Sequence, residues 1–301
     1  MARIDVNRFG EMEMFVRTIE AGSFSAAARA AHISPSAVSK LISRLEARLN
    51  ARLVNRSTRR IQLTPEGAEF YERSQRLLAE LDDAEQAAAG ALAPRGKLRI
   101  NANVPVGTQI LLPLMPAFCA RYPAVSVDIS LTDKVVDLVE ERTDVALRSG
   151  PLKNSRLMAR KLGETRLLLV AAPGYLARHG APSTPADLEA HQRLSLCYAR
   201  VNETWPFVVD GQPISLAPRG PVRISDGEAL RQLALSGLGI ARLAWFQVAD
   251  DIAQGRLVPV LEDFDAGECE EVHAVFLGQG GHLPARVRAF LDFMVENVRL
   301  G

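Results

Sequence analysis

The chain has 301 residues, of which 48% are hydrophobic and 24% are charged, a composition that excludes extended disorder and a fibrous repeat. Its length predicts two or three domains, each able to bury a core. The net charge of +1 conceals a segregation, because residues 1–60 hold 11 Lys and Arg against 5 Asp and Glu, whereas residues 61–92 hold 2 against 7. A compact basic segment indicates a polyanion as partner.

The sequence contains no signal for export or for insertion into a membrane. The N-terminus lacks the basic and then apolar run of a secretory signal, so we expect a cytoplasmic protein. The uncharged stretch 100–120 is interrupted by Asn101, Asn103, Gln109 and three prolines, whereas a membrane span is an almost unbroken apolar run. We therefore predict no membrane segment.

The cysteines give no sign of a metal site or of a disulfide framework. Cys119, Cys197 and Cys269 lie far apart, with no C-x-x-C pair and no histidine at ligand spacing. We interpret them as small buried apolar side chains. No metal and no cofactor is expected.

Two helices are predicted within the first 31 residues. Ser23 stands where it can cap the second helix, which is rich in alanine and would let another helix approach closely. The first helix should end near Ala21-Gly22. Its apolar stripe follows steps of three and four residues: Phe9, Met12, Phe15, Val16 and Ile19.

A third helix should begin at Pro35, with Ser34 as its N-cap. Its predicted buried stripe is Val38, Leu41, Ile42, Leu45 and Leu49. The opposite face carries Ser36, Ser39, Lys40 and Ser43. Two helices joined by a short turn, the second with a small polar face, are typical of a helix-turn-helix, whose second helix enters the major groove of DNA. An ordinary serine-rich surface helix is the alternative.

The stretch 51–67 favours the DNA-binding interpretation. Residues 52–55 and 60–63 are predicted strands around a tip that holds Arg56, Ser57, Thr58 and Arg59. A hairpin tipped with guanidinium and hydroxyl groups is suited to contact phosphate or the minor groove. Helix and hairpin together predict a winged helix-turn-helix.

A long helix should follow the wing. Thr64 can cap it and Pro65 can open it, and we expect it to run over Pro65–Leu92. Its apolar and small residues follow a heptad seam: Phe70, Ser74, Leu77, Leu81, Ala84 and Ala88. One stripe on so long a helix is too narrow for its own domain to bury, so we predict that it pairs with a second copy in a homodimer.

After a linker at 93–97, strands and helices alternate. This order predicts an α/β domain with a parallel-type sheet and a ligand at the carboxyl ends of its strands. Predicted strands are 98–103, 125–131, 144–148, 166–172, 195–198, 206–209 and 272–277. Predicted helices are 107–121, 135–141 and 286–298, and 228–261 should hold a helix, a glycine-rich turn, a short strand and a second helix.

Taken together, these residues resemble the LysR-type transcriptional regulators over essentially the whole chain. The resemblance is carried by "GSFSAAARAAHISPSAVSKLISRLEARL", "NRSTRRIQLTPEG" and "SDGEALRQLALSGLGIARL". It implies an α/β protein overall, with a winged helix-turn-helix at 1–64, a dimerising linker helix at 65–92 and an effector-binding domain at 96–301 similar to type 2 periplasmic binding proteins. That domain would have subdomain I at 96–163 and 268–301 and subdomain II at 164–267, with a small molecule in the cleft. Such proteins are commonly homotetramers.

The resemblance also implies two sets of contact residues. Double-stranded DNA would be met by Ser34, Pro35, Ser36, Ser39, Lys40, Arg56, Thr58, Arg59 and Arg60. The effector would be met by Val104, Pro105, Val106, Thr132, Arg148, Ser149, Tyr198 and Ser225. The alternative for any single side chain in these sets is an ordinary solvated or core residue.

Two departures from the family pattern have physical consequences. Pro105 stands where many relatives have Ser or Thr at a helix start, so one N–H donor and one hydroxyl are missing. The hypothesis is a less anionic or more apolar effector, or Arg148 as the counter-charge. The alternative is that Pro105 only starts a helix and Arg148 is a surface ion-pair partner. Asn50 stands where glycine is usual after the recognition helix, and Asn tolerates the left-handed conformation needed there.

Two other functions are weighed against a ligand-switched transcriptional regulator. An enzyme is disfavoured because "SGLGIA" supplies only two glycines of G-x-G-x-x-G, and no Walker loop, G-x-S-x-G or H-E-x-x-H occurs. A solute-binding protein of transport would not carry a basic winged domain. Activation of transcription would also require contact with RNA polymerase, for which the sequence offers no signal.

Overall fold

The computed structural model describes residues 7–56, 61–88, 93–133, 143–151, 157–197, 204–277 and 283–301. The chain divides into two compact units, Met1–Leu92 and Ala93–Gly301. No helix among the described residues is long and apolar enough to cross a membrane.

The N-terminal unit is a bundle of helices with a short hairpin. Its elements are α1 (Arg8–Glu20), α2 (Phe24–Ala30), α3 (Pro35–Leu49), β1 (Val54–Arg56), β2 (Ile61–Leu63) and α4 (Pro65–Ala88). Strands β1 and β2 pair antiparallel, with Val54 opposite Leu63. The buried core consists of Met14, Phe15, Val16, Ala28, Val38, Ile42, Leu45, Leu53 and Val54. One member of the predicted stripe of α1 is misplaced, because Phe9 is 50% exposed.

The predicted caps of three helices are confirmed. The Ser23 hydroxyl accepts from the Ala26 amide at 3.1 Å and opens α2. In the same way, Ser34 accepts from an amide of the first turn of α3 at 3.2 Å, and Thr64 accepts from the Gly67 amide at 2.9 Å at the start of α4. Each hydroxyl thus pairs with one of the amides that a helix start leaves without an intrahelical partner.

Both helices of the helix-turn-helix end in the same backbone motif. His32 after α2 and Asn50 after α3 adopt positive φ angles of 53° and 50°. The amide one residue further, in Ile33 or Ala51, bonds to a carbonyl five residues back at 3.0 Å or 3.2 Å. This is the Schellman arrangement, in which a left-handed residue ends the helix. The prediction for Asn50 is confirmed, whereas the left-handed His32 was not anticipated.

The C-terminal unit is built around a mixed sheet with helices on it. Its strands are β3 (Gly96–Ala102), β4 (Val125–Leu131), β5 (Val145–Ser149), β6 (Met158–Ala171), β7 (Ser195–Leu196), β8 (Trp205–Val209), β9 (Gln212–Leu216), β10 (Arg223–Ile224), β11 (Ala241–Ala244), β12 (Val258–Pro259) and β13 (Cys269–Phe276). Its α-helices are α5 (Val104–Val106), α6 (Leu112–Arg121), α7 (Pro173–His179), α8 (Gly227–Leu235), α9 (Trp245–Ala253) and α10 (Ala285–Asn297). A π-helical turn, Gly107–Leu111, joins α5 to α6, and 3-10 turns occur at Pro185–Ala190 and Glu262–Phe264.

The alternation of strands and helices predicted a parallel-type sheet, but the observed sheet is mixed. Among the described residues its order is β11-β6-β13-β5-β3-β4, with β12 also on β6. Strand β3 pairs parallel with β4 and β5, but β13 pairs antiparallel with β5 and β6, and β11 pairs antiparallel with β6. The chain returns through the sheet on long antiparallel strands, a connection that alternating strands and helices do not reveal.

Strand β6 links two separate cores. Its first part pairs with β13, which contributes to a core with β3, β5, α6 and α10 around Phe118 and Phe290. Its last residues, such as Leu168 and Val170, belong to a second core with α8, α9 and β11. Leu169 and Ala171, which alternate with these residues, belong to a third cluster around Tyr175, Trp205 and Ile240. The second and third clusters lie on the two faces of the same strand end and form the core of one half of the unit, which β6 connects to the first core.

Several features of this unit differ from the expectations or lie outside them. The hairpin β8–β9 and helix α7 were not predicted as complete elements, and the predicted helix 135–141 lies outside the described residues. Cys119, Cys197 and Cys269 are free and exposed, so their interpretation as buried side chains is wrong.

Candidate DNA-binding surface and effector cleft

The start of α3 presents a small polar surface to solvent. Ser34, Pro35, Ser36 and Lys40 are exposed and Ser39 is half-buried. The Ser34 and Ser36 hydroxyls lie 2.9 Å apart and share a hydrogen bond. The opposite side of the helix is completely buried at Val38, Ile42 and Leu45. A helix start that carries hydroxyl groups, one cation and no carboxylate can approach a DNA groove without repelling phosphate.

A carboxylate fixes the wing to the end of α3. Glu46 Oε1 accepts from the backbone amides of Leu53 and Val54, at 2.8 Å and 3.2 Å, at the start of β1. Arg56 ends β1, whereas Thr58, Arg59 and Arg60 lie outside the described residues. Glu46 could not be predicted as a functional residue, because a glutamate on the edge of an amphipathic helix is ordinarily solvated. Its two bonds set the position of the hairpin relative to the recognition helix.

Helix α4 starts in close contact with the same hairpin. A Cβ atom at Gly67 would lie 1.9 Å from the Leu53 carbonyl oxygen, so only glycine fits there. Arg48 on α3 donates to the buried Glu11 of α1 at 3.2 Å. Recognition helix, wing and long helix are therefore held together by specific polar and steric contacts.

The predicted heptad seam on α4 is only partly exposed. Phe70 packs against Phe15 of α1 with ring centroids 5.7 Å apart, and Ser74 is completely buried. Leu77, by contrast, is 49% exposed. The first turns of the seam thus contact α1 of the same chain, which the heptad pattern did not predict, and a partner helix could cover only the later part.

A cavity of about 1020 Å³ lies between the two cores of the C-terminal unit. Its apolar lining comes mainly from Leu167, Leu194, Leu196, Trp205, Leu230 and Leu243. Its polar lining includes Asn103, Ser149, Arg223, Arg242, Gln247, Glu268, Glu270, Glu271 and His273. A concave space that combines an apolar wall with converging polar groups is typical of a small-molecule site.

The structure brings some predicted effector residues to this cavity and places others elsewhere. Pro105 and Ser149 line it, Val104 is half-buried beside it in α5, and Tyr198 lies outside the described residues. Val106 is completely buried in the core, Ser225 is exposed, and the Thr132 amide donates to the Ala102 carbonyl at 2.9 Å.

Arg148 does not fit the description of a surface ion-pair partner. It is 5% exposed, and its guanidinium donates to the Leu147 carbonyl at 2.9 Å and to Asn101 Oδ1. Within the described part of the chain it is absent from the cavity lining, whereas its neighbour Ser149 belongs to it. Successive side chains of a strand point to opposite faces, so one sheet face cannot present both.

A row of polar side chains lies along the cavity wall. The Asn103 side-chain amide donates to Ser149 Oγ at 3.0 Å, and the Ser149 hydroxyl is near enough to the Glu270 carboxyl to lower the pKa of Glu270. Withdrawal from water raises the pKa of Glu270 to about 7, against the smaller opposing effects of Arg242 and Ser149. The Arg242 guanidinium itself pairs with Glu268 at 3.0 Å.

The helix start at the cavity is poorly suited to an anion. Asn103 precedes α5 but makes no side-chain cap, and Pro105 has no amide hydrogen. The Val104 amide donates to Asp133 Oδ1 at 3.2 Å. A carboxylate of the protein therefore already uses one of the amides that an anionic ligand would need.

These features define the class of protein. A basic helix-turn-helix with a wing, a long helix, and a two-core α/β unit around a ligand-sized cavity form a DNA-binding regulator with a small-molecule sensor. Residues 9–68 match the family described as bacterial regulatory helix-turn-helix protein, lysR family, and residues 92–299 match the LysR substrate binding domain. The chain belongs to the LysR family of transcriptional regulators.

The relatives of this chain carry the same architecture. The HTH-type transcriptional regulator CrgA of Neisseria meningitidis serogroup C is 38% identical over 290 residues, which cover 96% of each chain. A solved structure of CrgA aligns with a TM-score of 0.62 at 37% identity and covers 95% of this chain and 97% of the other. The full-length structure of the Vibrio cholerae virulence activator AphB gives 0.59 at 28% identity, with 96% and 98% covered.

Proposed function

We propose that this regulator binds operator DNA through the start of α3 and the wing, and that a small molecule in the cavity switches its DNA-bound assembly. The proposed DNA contacts are Ser34, Pro35, Ser36, Ser39, Lys40, Arg56, Thr58, Arg59 and Arg60. The observation that carries this proposal is the exposed hydroxyl-rich start of α3 with the wing tied to its far end by Glu46. Base contacts from the serines would set sequence preference, and the cations would set affinity.

We propose domain boundaries that separate DNA binding, dimerisation and effector binding. Residues 1–64 are the winged helix-turn-helix, 65–92 the linker helix and 96–301 the effector domain. Subdomain I comprises 96–163 and 268–301, and subdomain II comprises 164–267. The two hydrophobic cores connected by β6 support this division. We propose no enzymatic activity, and we expect the protein in the compartment that contains the DNA.

The DNA contact is tested by the salt dependence of binding. Genomic fragments bound by the purified protein are first identified by footprinting, and affinity is then measured by fluorescence anisotropy at several salt concentrations. Because each phosphate contact releases about one counterion, Lys40→Ala should lower the slope of log affinity against log salt by about 1. Lys97→Ala is the matched control, since Lys97 pairs with Asp128 in the effector unit. Equal slopes in the two variants would contradict the role of Lys40.

We propose a homodimer through the later part of α4, assembled further into a homotetramer. The 24 residues of α4 extend over about 36 Å, and Leu77 remains 49% exposed on the seam. Leu77→Glu should weaken dimerisation at least tenfold in sedimentation velocity, because a carboxylate would be buried at the contact. Glu72→Lys, at an exposed position of the same helix, should leave the dimer intact. A Leu77→Glu dimer of unchanged stability would exclude this interface.

Switching by a ligand requires two arrangements of the assembly with different ligand affinities. A molecule that closes the cavity would favour one arrangement and so change the spacing of the two DNA-binding units. Contact with RNA polymerase is a further requirement if the regulator activates transcription.

A further inference from the structure

Two buried amide side chains in the cavity wall each have one atom without a partner among the described residues. Asn103 and Gln247 are both 8% exposed and both line the cavity. Asn103 Oδ1 and Gln247 Nε2 lack a hydrogen-bond partner in the part of the chain that the structure describes. His273, which also lines the cavity, has a third such atom, Nδ1. An unpaired buried polar atom costs about 1–3 kcal/mol, so several at one cavity indicate groups that a ligand satisfies.

The surrounding bonds fix which atom each amide presents. Gln247 Oε1 accepts from the Ala244 amide at 3.1 Å, so its Nε2 is the free donor. Asn103 Nδ2 donates to Ser149 Oγ at 3.0 Å, so Asn103 Oδ1 is the acceptor that has no partner among the described residues. The two amides thus offer one acceptor and one donor, both uncharged.

The charged groups of the cavity disfavour an anionic ligand beside these amides. The charged or titratable lining comprises Glu268, Glu270 and Glu271 against Arg223, Arg242 and His273. Arg242 is already paired with Glu268, and Arg223 also has a partner. The helix start at α5 gives one amide to Asp133 and lacks another at Pro105. A ligand carboxylate would therefore approach carboxylates and meet few donors that are not in use.

Gly227 brings the amide of Gln247 close to the start of α5. A Cβ atom on this glycine would lie 2.9 Å from Pro105 Cγ and 3.1 Å from Gln247 Nε2. The two elements that carry the unpaired amides therefore meet at this point. The apolar remainder of the cavity, around Trp205 and Leu243, can cover a hydrophobic body.

We propose that the cavity binds an uncharged, amide-like molecule with an apolar body, whose N–H is accepted by Asn103 Oδ1 and whose carbonyl oxygen is bonded by Gln247 Nε2. The inference rests on the proposed function, since it assigns a ligand class to the proposed effector cavity. It also accounts for Pro105, because an uncharged ligand has no need of an anion-binding helix start.

The test compares probes of equal shape and different charge on the full-length protein. Acetamide and acetate, benzamide and benzoate, and phthalamide and phthalate are titrated by saturation-transfer NMR. In at least one pair the amide should bind about tenfold more tightly than the acid, the effect of one or two added hydrogen bonds. Gln247→Leu should remove most of that preference, and Glu270→Gln should improve the binding of the acids. Glu189→Gln, at an exposed position, should change neither.

The outcomes separate the ligand class from the proposed function. Tighter binding of the acids, no binding of any amide probe, or an unchanged preference in a folded Gln247→Leu protein would overturn the ligand class. Thermal melting of each variant establishes that it is folded. Glu270→Gln gives a second readout that leaves the hydrogen bond from the Ala244 amide to Gln247 intact. DNA affinity of the same preparations is measured in parallel. If these proteins bind DNA and the acids bind in the cavity, the proposed function is retained and only the proposed ligand class is wrong.

Discussion

In the N-terminal unit, Ser23 and Ser34 bond to amides three residues further along the chain, and each opens its own helix. In the C-terminal unit, Asn103 donates to Ser149, which is 46 residues further along the chain, and Glu270 of a third segment lies near Ser149. The first unit exposes polar groups that water can satisfy until DNA replaces it. The second buries polar groups, and among its described residues several side-chain atoms lack a hydrogen-bond partner, Asn103 Oδ1 and Gln247 Nε2 of the cavity wall among them. Binding of a rigid polymer and binding of an enclosed small molecule call for these different arrangements.

The largest expected effect comes from a buried charge that is fully satisfied, unlike the amides of the cavity. Asp251 is completely buried and pairs with Arg231 at 2.6 Å and Arg256 at 2.5 Å. Asp251→Ala should lower the free energy of unfolding by about 3–5 kcal/mol, because it leaves Arg231 largely buried without its partner. Urea denaturation measures this. Asp250→Ala, on the same helix but exposed, should cost less than about 1 kcal/mol. Similar losses in both variants would show that burial is not what makes Asp251 important.

The next effect concerns Glu270, whose pKa is raised to about 7 by burial from an ordinary 4.5. Between these values the folded protein binds more protons at this site than the unfolded chain, so the contribution to stability is lost as pH rises from about 4.5 to 7. The loss should be about 2–3 kcal/mol. Glu270→Gln should remove this fall, as seen by urea denaturation at pH 5 and pH 8, whereas Glu189→Gln should retain it. Parallel curves for wild type and Glu270→Gln would mean that the carboxyl is well hydrated.

The difference between the units also explains what the sequence could predict. Helix starts at Ser23 and Ser34, the left-handed Asn50 and the hairpin of the wing depend on neighbours in the chain, and all were found in place. Phe9 followed the same period as Phe15, but it precedes the part of α1 that other helices cover. The spacing of apolar residues alone does not show which part of a helix other elements cover.

The cavity could be predicted only in part. Pro105 and Ser149 were predicted from the resemblance to the LysR-type regulators, and both line the cavity. Glu270 and Gln247 come from β13 and α9, and nothing in their local sequence distinguishes them from solvated residues. Their significance appears only once the antiparallel return of β13 and β6 brings these segments around one space.

The account is tested most directly by fluorescence anisotropy with a footprinted genomic fragment and two serine variants. Ser36→Glu places a carboxylate on the exposed start of α3, and Ser215→Glu makes the same change on the exposed strand β9 of the effector unit. We predict that Ser36→Glu weakens DNA binding at least about a hundredfold through repulsion from phosphate, while its thermal stability and the DNA affinity of Ser215→Glu stay at the level of the wild type. Tight DNA binding by a folded Ser36→Glu protein would show that DNA meets another surface of the molecule.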